Sequence, residues 1–297
     1  MRRHNRVKKP LFLVNLQSHE KTSINKWKQV EYLLDSKNIN YDVKFTTKRK
    51  SAVDLVRKDK KHKTIIVVGG DGGVNSLVEG AMKNDLEKIL GTIPAGTAND
   101  IARVFDIYST PEKLYSALSA ENSRETDVGE VNGKYFLGHA SLGFDTLALN
   151  ERNKRRFLKG KLAYFAAVFR TLFKYHSKNM NVKYTDVDMN KDIFMMVISN
   201  IKYYADGMKI APSAKTDDGL LDLCLIEGKS NIESLFSNLL SVYNGTHINN
   251  PQIHYNQLKK LEIFSSEPTF IQIDGDLIGK GNYFKFGVAE RKLNFLC

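Results

Sequence analysis

The run Thr64-Ile65-Ile66-Val67-Val68-Gly69-Gly70-Asp71-Gly72-Gly73-Val74-Asn75 decides the fold. Residues 64–68 are β-branched throughout and do not alternate with polar residues, which is the pattern of a strand buried on both faces of a parallel sheet. Four glycines in the next five residues let backbone N–H groups approach an anion, and a helix starting beyond them adds its positive N-terminal end. In a turn without a ligand these glycines would only weaken strand and helix. Their spacing matches neither G-x-G-x-x-G nor G-x-x-x-x-G-K-[ST]. Asp71 stands where a bare pyrophosphate would be repelled, so it suits Mg²⁺ or a hydrogen-bond network around phosphates.

Short apolar runs and amphipathic stretches alternate on either side of this loop. Strands are expected at 11–16, 41–46 and 64–68, with helices near 24–34 and 52–57, a βαβ pattern that predicts a parallel sheet. Trp27, the only tryptophan, falls in the first helix and is expected to pack on the sheet. A second glycine-containing turn, Gly91-Thr92-Ile93-Pro94-Ala95-Gly96-Thr97-Ala98-Asn99-Asp100, ends a strand and opens a helix. Thr97 or Asn99 would cap that helix and Asp100 would favour its N-terminus. Two βα loops at strand carboxyl ends lie where open α/β sheets gather ligands.

After about residue 128 the sequence becomes β-rich, with strands expected at 131–138, 181–184, 193–199, 220–226, 261–264, 270–273 and 283–286. Helices are expected at 160–175 and 232–243. The first carries a broad apolar face from Leu162 to Phe173 that reads as core, lipid-facing lip, or both. Asp217-Asp218-Gly219-Leu220-Leu221-Asp222 reads as a turn into a strand, or as a hard-cation site. Asp274-Gly275-Asp276 reads as a hairpin turn first and an acid/base group second.

Composition narrows the classes. Apolar residues at 42% and charged residues at 26% are ordinary for a globular chain and exclude a disordered one. The stretch 162–173 is shorter than the ~20 residues needed to cross a bilayer and contains Arg170. The apolar run 11–16, behind Arg2, Arg3, Arg6, Lys8 and Lys9, is too short for a secretory signal. Cys224 and Cys297 are the only cysteines, so no disulfide framework or thiolate metal site is expected and the cytosol is the expected compartment. There is no H-E-x-x-H and no G-x-S-x-G. The net charge of +12 suits anionic membranes, nucleic acid or phosphorylated ligands. The basic residues are scattered rather than interleaved with aromatics, which argues against nucleic acid.

With these residues in view, the chain resembles, nearly end to end, the diacylglycerol kinase-like family of bacterial lipid kinases, related to sphingosine kinases and NAD kinases. The resemblance rests on Gly69-Gly70-Asp71-Gly72, on Gly96-Thr97-Ala98-Asn99-Asp100 with Ala102-Arg103, and on Gly143-Phe144-Asp145. Further motifs are Gly207-Met208-Lys209-Ile210-Ala211-Pro212, Asp217-Asp218-Gly219-Leu220-Leu221-Asp222 and Asp274-Gly275-Asp276. It implies a Rossmann-like parallel-sheet α/β domain over 1–127, with 288–297 free to rejoin it, and a β-sandwich-type domain over 128–287. It implies a kinase using ATP and Mg²⁺, with the nucleotide between the domains at Thr47, Gly69, Gly70, Asp71, Gly72, Gly73, Asn75, Gly96, Thr97 and Asn99. Asp71 would act with Mg²⁺, and Asp276 would accept the proton of a lipid hydroxyl. A structural cation would take the carboxylate of Asp218 and backbone oxygens of Lys215 and Leu220. Diacylglycerol or a similar lipid alcohol is the implied substrate, met by peripheral membrane contact, and a homodimer is compatible with the family. A small-molecule kinase of the NAD kinase type, or a binding protein without turnover, are the alternatives. The sequence departs from the family pattern at Gly73 and Ser76, where threonine and an acid are usual, and at Asn15-Leu16, where Asn-Pro is. Ala205-Asp206-Gly207 replaces a glycine-rich run, and Asp276 a glutamate.

Overall fold

The computed structural model of the protein describes residues 8–16, 20–84, 86–105, 111–154, 171, 175–228 and 241–297. The chain forms two compact units, Met1–Val128 with Glu290–Cys297, and Gly129–Ala289.

In the first unit the elements follow in the order β1 (Leu11–Asn15), α1 (Glu20–Ser36), β2 (Asp42–Thr46), α2 (Arg49–Lys58), β3 (Thr64–Gly69), α3 (Asp71–Met82) and β4 (Ile89–Pro94). They continue with α4 (Asp100–Phe105), α5 (Pro111–Ala120) and β5 (Ser123–Thr126). The sheet order is β2-β1-β3-β4, then the C-terminal strand Leu293–Leu296, then β5. All neighbours are parallel except β5, which runs antiparallel to the C-terminal strand. As its β-branched run predicts, β3 is buried along its whole length. Trp27 is 3% exposed and packs its ring 5.2 Å from Phe12 on β1. The C-terminal strand enters the sheet because Leu293, Phe295 and Leu296 are apolar and buried, with Phe295 stacked on Phe105 at 4.8 Å. The parallel register sets Asn15 beside Thr46 and Gly69 beside Pro94, so the carboxyl ends of four strands share one edge.

The second unit contains β6 (Gly129–Val131), β7 (Lys134–Phe136), β8 (His139–Gly143), α6 (Phe144–Lys154), β9 (Lys178–Tyr184), β10 (Val187–Ser199) and β11 (Leu221–Glu227). After these come β12 (Ile253–Leu258), β13 (Lys260–Ile273) and β14 (Asp276–Val288). The strand order is β12-β11-β10-β8-β13-β14-β6-β7, with β9 pairing both β10 and β13. The two long strands β10 and β13 thus each pair β8 near one end and β9 near the other, and the sheet folds over one core. Ile198, Leu223, Ile263, Ile271 and Phe286 line that core. A second cluster, with Val197, Tyr204 and Ile210, covers the outer face of β10.

Several expectations need correction. The expected strand 131–138 is instead part of a hairpin, β6 to β7 over residues 129–136, because Asn132 and Gly133 both take positive φ, 47° and 77°, as a type I′ turn requires. The expected strands 261–264 and 270–273 are one strand, β13. Its register against β14 shifts between Phe264 and Thr269, where Pro268 has no N–H to give to a ladder. Strands β5, β8 and β12 and helix α6 had no strong local pattern. The expected helices 160–175 and 232–243 lie outside the described residues except at their ends. Among the described residues, no helix is long and apolar enough to cross a membrane.

Candidate active site

In the first unit the site is built from two βα turns side by side. β3 ends at Gly69 and α3 begins at Asp71, so the N-cap is Gly70, which has no side chain to cap the first helical turn. Such a helix start favours an anion. The neighbouring turn is held against it: Ala95 N–H donates to the Gly69 carbonyl at 2.9 Å. A Cβ on Gly70 would stand 2.9 Å from the Gly96 Cα, so neither position has room for a side chain.

The second turn is fixed by its own amide. Asn99, at φ 54°, accepts the Gly96 N–H on Oδ1 at 2.8 Å and donates Nδ2–H to the Gly96 carbonyl at 3.0 Å. That backbone turns the Asn99 side chain back onto Gly96, away from the helix it precedes. The expected side-chain capping of α4 by Asn99 is therefore corrected: Asp71 Oδ1 accepts the Ile101 N–H at 3.0 Å and caps α4 from outside. Asp71 is thus oriented by a backbone donor while remaining partly exposed.

The remaining expected positions are spread over the same edge. Thr47 and Thr97 are exposed, Thr47 in the bend after β2. Gly73 is buried, and a Cβ there would lie 3.1 Å from Val67 Cγ2 and 3.4 Å from Asn15 Nδ2. The family's usual threonine would crowd this loop, so glycine fits it. Asn75 is fully buried and accepts a hydrogen bond from Arg49, so its side chain ties α3 to α2. Ser76 donates its hydroxyl to the Gly72 carbonyl at 3.0 Å. Asn15, noted in the sequence only as a departure, lies beneath the glycine loop.

In the second unit Asp274-Gly275-Asp276 is a type I′ hairpin: Asp274 and Gly275 have φ of 45° and 84°, and Ile273 pairs with Asp276 across the turn. Asp276 opens β14 and is partly exposed. Asp274 is 4% exposed and its carboxylate accepts the N–H groups of Leu137, Gly138 and His139 at 3.2, 3.0 and 2.8 Å. On the near side of the turn, Gln272 Oε1 accepts the Gly275 N–H at 2.7 Å.

The Asp217–Asp222 run is a turn into β11, with Gly219 at φ 74° and the Leu220 N–H on Asp218 Oδ1 at 3.1 Å. Lys215 and Asp218 are exposed, and Leu220 is partly so. Asp222 is buried and bonded to Tyr255 and Gln257, and burial, helped by the nearby Asp218 charge, pushes its carboxyl above the usual range. Among the described residues no three His, Cys, Asp or Glu side chains gather in metal-binding geometry. A cation at either expected position would therefore take one carboxylate with backbone carbonyls, waters or phosphates, a donor set that suits Mg²⁺.

Cys224 and His247 look like a nucleophile and base but are not one. Sγ and Nε2 are 3.7 Å apart, both residues are buried, and burial pushes the thiol up to about 12.

Residues 9–131 match the model of the diacylglycerol kinase catalytic domain, and residues 138–287 match that of the YegS C-terminal NAD kinase beta sandwich-like domain. The chain belongs to the bacterial diacylglycerol kinase-like family. Two curated diacylglycerol kinases are similar along most of their length. That of Bacillus subtilis is 29% identical over 218 residues, 72% of this chain and 71% of the relative. That of Staphylococcus saprophyticus is 26% identical over 228 residues, 76% and 74%. Among solved structures, a putative diacylglycerol kinase from Bacillus anthracis superposes with a TM-score of 0.78 at 19% identity, covering 97% of both chains. An NAD kinase from Archaeoglobus fulgidus, solved in complex with ATP, gives 0.54 at 11% identity, covering 97% of this chain and 93% of that one. These likenesses show a diacylglycerol kinase-like fold, and the family makes the chain a kinase.

Proposed function

We propose that this kinase transfers the γ-phosphoryl group of ATP, with Mg²⁺, to the hydroxyl of diacylglycerol or a similar lipid alcohol. The observation that carries the proposal is the paired turn, with a helix start capped only by glycine, pressed against Gly96, and one backbone-oriented carboxylate, Asp71, at its mouth. The N–H groups at the start of α3 would hold phosphate oxygens, and Gly96 and Thr97 would wall the nucleotide. Asp71 would hold Mg²⁺ together with those phosphates, and the ion would supply charge neutralisation.

Asp276 would take the proton of the lipid hydroxyl. The lipid oxygen bonds to the γ-phosphorus as the bond from that phosphorus to the β–γ bridging oxygen breaks, giving a phosphorylated lipid and ADP. Such chemistry needs positioning, charge neutralisation and a proton acceptor, and the two units carry residues for each. Asp276 is one methylene shorter than a glutamate, a difference in reach of about 1.5 Å. The turn that carries it therefore matters for its aim.

At +12 the chain would be drawn to an anionic bilayer, each basic group near the surface adding about 1 kcal/mol. Asp218 with the Lys215 and Leu220 carbonyls would hold a structural cation, and assembly as a homodimer is part of the same proposal.

Transfer of labelled γ-phosphate to a panel of lipid alcohols in mixed micelles tests the proposal. Turnover on one lipid, lost in Asp71→Ala and Asp276→Ala, is expected. Turnover only on a soluble dinucleotide would replace lipid by small-molecule kinase, and ATP binding without any transfer would leave a binding protein.

A further inference from the structure

A buried chain of hydrogen bonds runs from the interior of the second unit to the turn that carries Asp276. The Gly275 N–H donates to Gln272 Oε1 at 2.7 Å, and Gln272 Nε2–H donates to Ser141 Oγ at 2.7 Å. The Ser141 hydroxyl donates to Asp145 Oδ2, and Tyr204 donates its hydroxyl to the same oxygen at 2.6 Å. Ser141 is fully buried, Gln272 is 2% exposed and Asp145 6%. These groups have little water to fall back on, so each bond is expensive to lose.

The direction of every bond in this chain is forced. A backbone N–H can only donate, so the Gln272 carboxamide must turn its oxygen to Gly275 and its NH₂ to Ser141. Ser141, already accepting, must give its own proton to Asp145. Were residue 145 to have no accepting oxygen, Ser141 would lose the partner for its proton. The Gln272 carboxamide would then be free to reverse and set its NH₂ against the Gly275 N–H. Burial raises the Asp145 carboxyl above its usual range, but Oδ2 accepts whether or not Oδ1 carries a proton. The chain therefore holds in either charge state.

We infer that Asp145 is a positioning residue for Asp276, acting through Ser141, Gln272 and the Gly275 amide. Asp276 is the residue after Gly275, and the Asp274 side of the turn is separately anchored by three backbone N–H groups. The Gln272–Gly275 bond is the contact through which Asp145 fixes the other half. In the proposed reaction, on which the catalytic part of this inference rests, a shift of the carboxylate by about 1 Å lowers turnover by about 100-fold.

The test uses the full chain labelled with ¹³C′-aspartate and ¹⁵N-glycine, which isolates the amides of Gly72, Gly207, Gly219 and Gly275, the glycines that follow aspartate. The variants are Asp145→Leu, which removes the acceptor, Ser141→Ala and Gln272→Leu. Ser265→Ala, which loses a buried hydroxyl bonded to Thr269 on the same strand, serves as the control. The expected result is that the Gly275 signal moves in all three variants and stays in the control, with the Gly219 signal unmoved throughout as the mark of a folded unit. In the kinase assay kcat falls about 10- to 100-fold in the three variants, with the KM for ATP unchanged. An unmoved Gly275 signal in Ser141→Ala and Asp145→Leu would overturn the inference, as would a moved signal with unchanged kcat. So would an equal loss of kcat in the control. If the wild type phosphorylates no acceptor, the kinase proposal has failed instead, and the Gly275 signal alone decides whether Asp145 sets the turn.

Discussion

Gly70 and Gly96 lie backbone against backbone, so that a Cβ built on Gly96 would stand 2.5 Å from the Gly70 Cα and 2.9 Å from Asn99 Oδ1. The two residues come from different βα turns, and their contact makes one site of two loops.

Gly96→Ala is therefore expected to push the loops apart. Overpacking of this kind costs about 1–3 kcal/mol, and nucleotide affinity should fall at least about 10-fold. Thermal unfolding and calorimetric titration with Mg²⁺-ATP measure the two effects. An alanine variant that binds as the wild type does would mean that this contact does not shape the site.

Asp276→Asn keeps the size of the side chain and removes its basicity. Loss of a positioned general base lowers kcat about 10²–10⁴-fold, with ATP binding retained because Asp276 takes no part in holding the phosphates. Turnover assays beside binding titrations separate the two, and wild-type kcat in this variant would remove Asp276 from the mechanism.

A third expectation concerns acid stability. His62 bonds Asp59 at 2.7 Å and Asp42 at 2.8 Å, and Lys88, 2% exposed, bonds Asp59 at 3.1 Å and the His62 carbonyl at 2.7 Å. Burial pushes Asp59 up, but His62 and Lys88 outweigh it and hold the carboxyl below its ordinary 3.8. A folded value below the unfolded one stabilises above pH 3.8, and that contribution is lost as the pH falls through the folded value. Lys88→Met leaves Asp59 without its buried cation and should cost about 3 kcal/mol near neutrality. Urea unfolding from pH 7 down to pH 3 should show the variant's deficit shrinking with acid, and a deficit independent of pH would contradict this account.

Thiol chemistry gives a simpler check. Cys297 is exposed, whereas Cys224 is buried with its thiol pushed up to about 12. One equivalent of a disulfide reagent should react quickly at pH 8 in the native chain, and the second only after denaturation. Two fast equivalents would show that the β10–β11 core opens readily.

Much of the first unit could be read directly because its signals are local. The β-branched run of β3 and the four glycines after it are consecutive, and a buried strand leading through a glycine turn into a helix needs only neighbouring residues. The same holds for Asp274-Gly275, whose positive φ angles follow from residue type. Asn132-Gly133 carried the same signal, obscured by the apolar residues around it.

Other features are properties of pairs far apart in the chain. Asp71 caps a helix that starts 29 residues later, a role that a search for capping residues next to α4 assigns to Thr97 or Asn99. The C-terminal strand takes its place between β4 and β5 because Phe295 finds Phe105 there. Gln272 meets Ser141 across 131 residues. Which backbones turn and which strands are buried could be read in advance, because those depend on each residue's own conformational freedom and apolarity. Only the tertiary structure decided which N–H each carboxylate accepts and which way each buried amide faces. A hydrogen bond's direction is fixed by both of its ends, and here those ends meet only when the chain has folded.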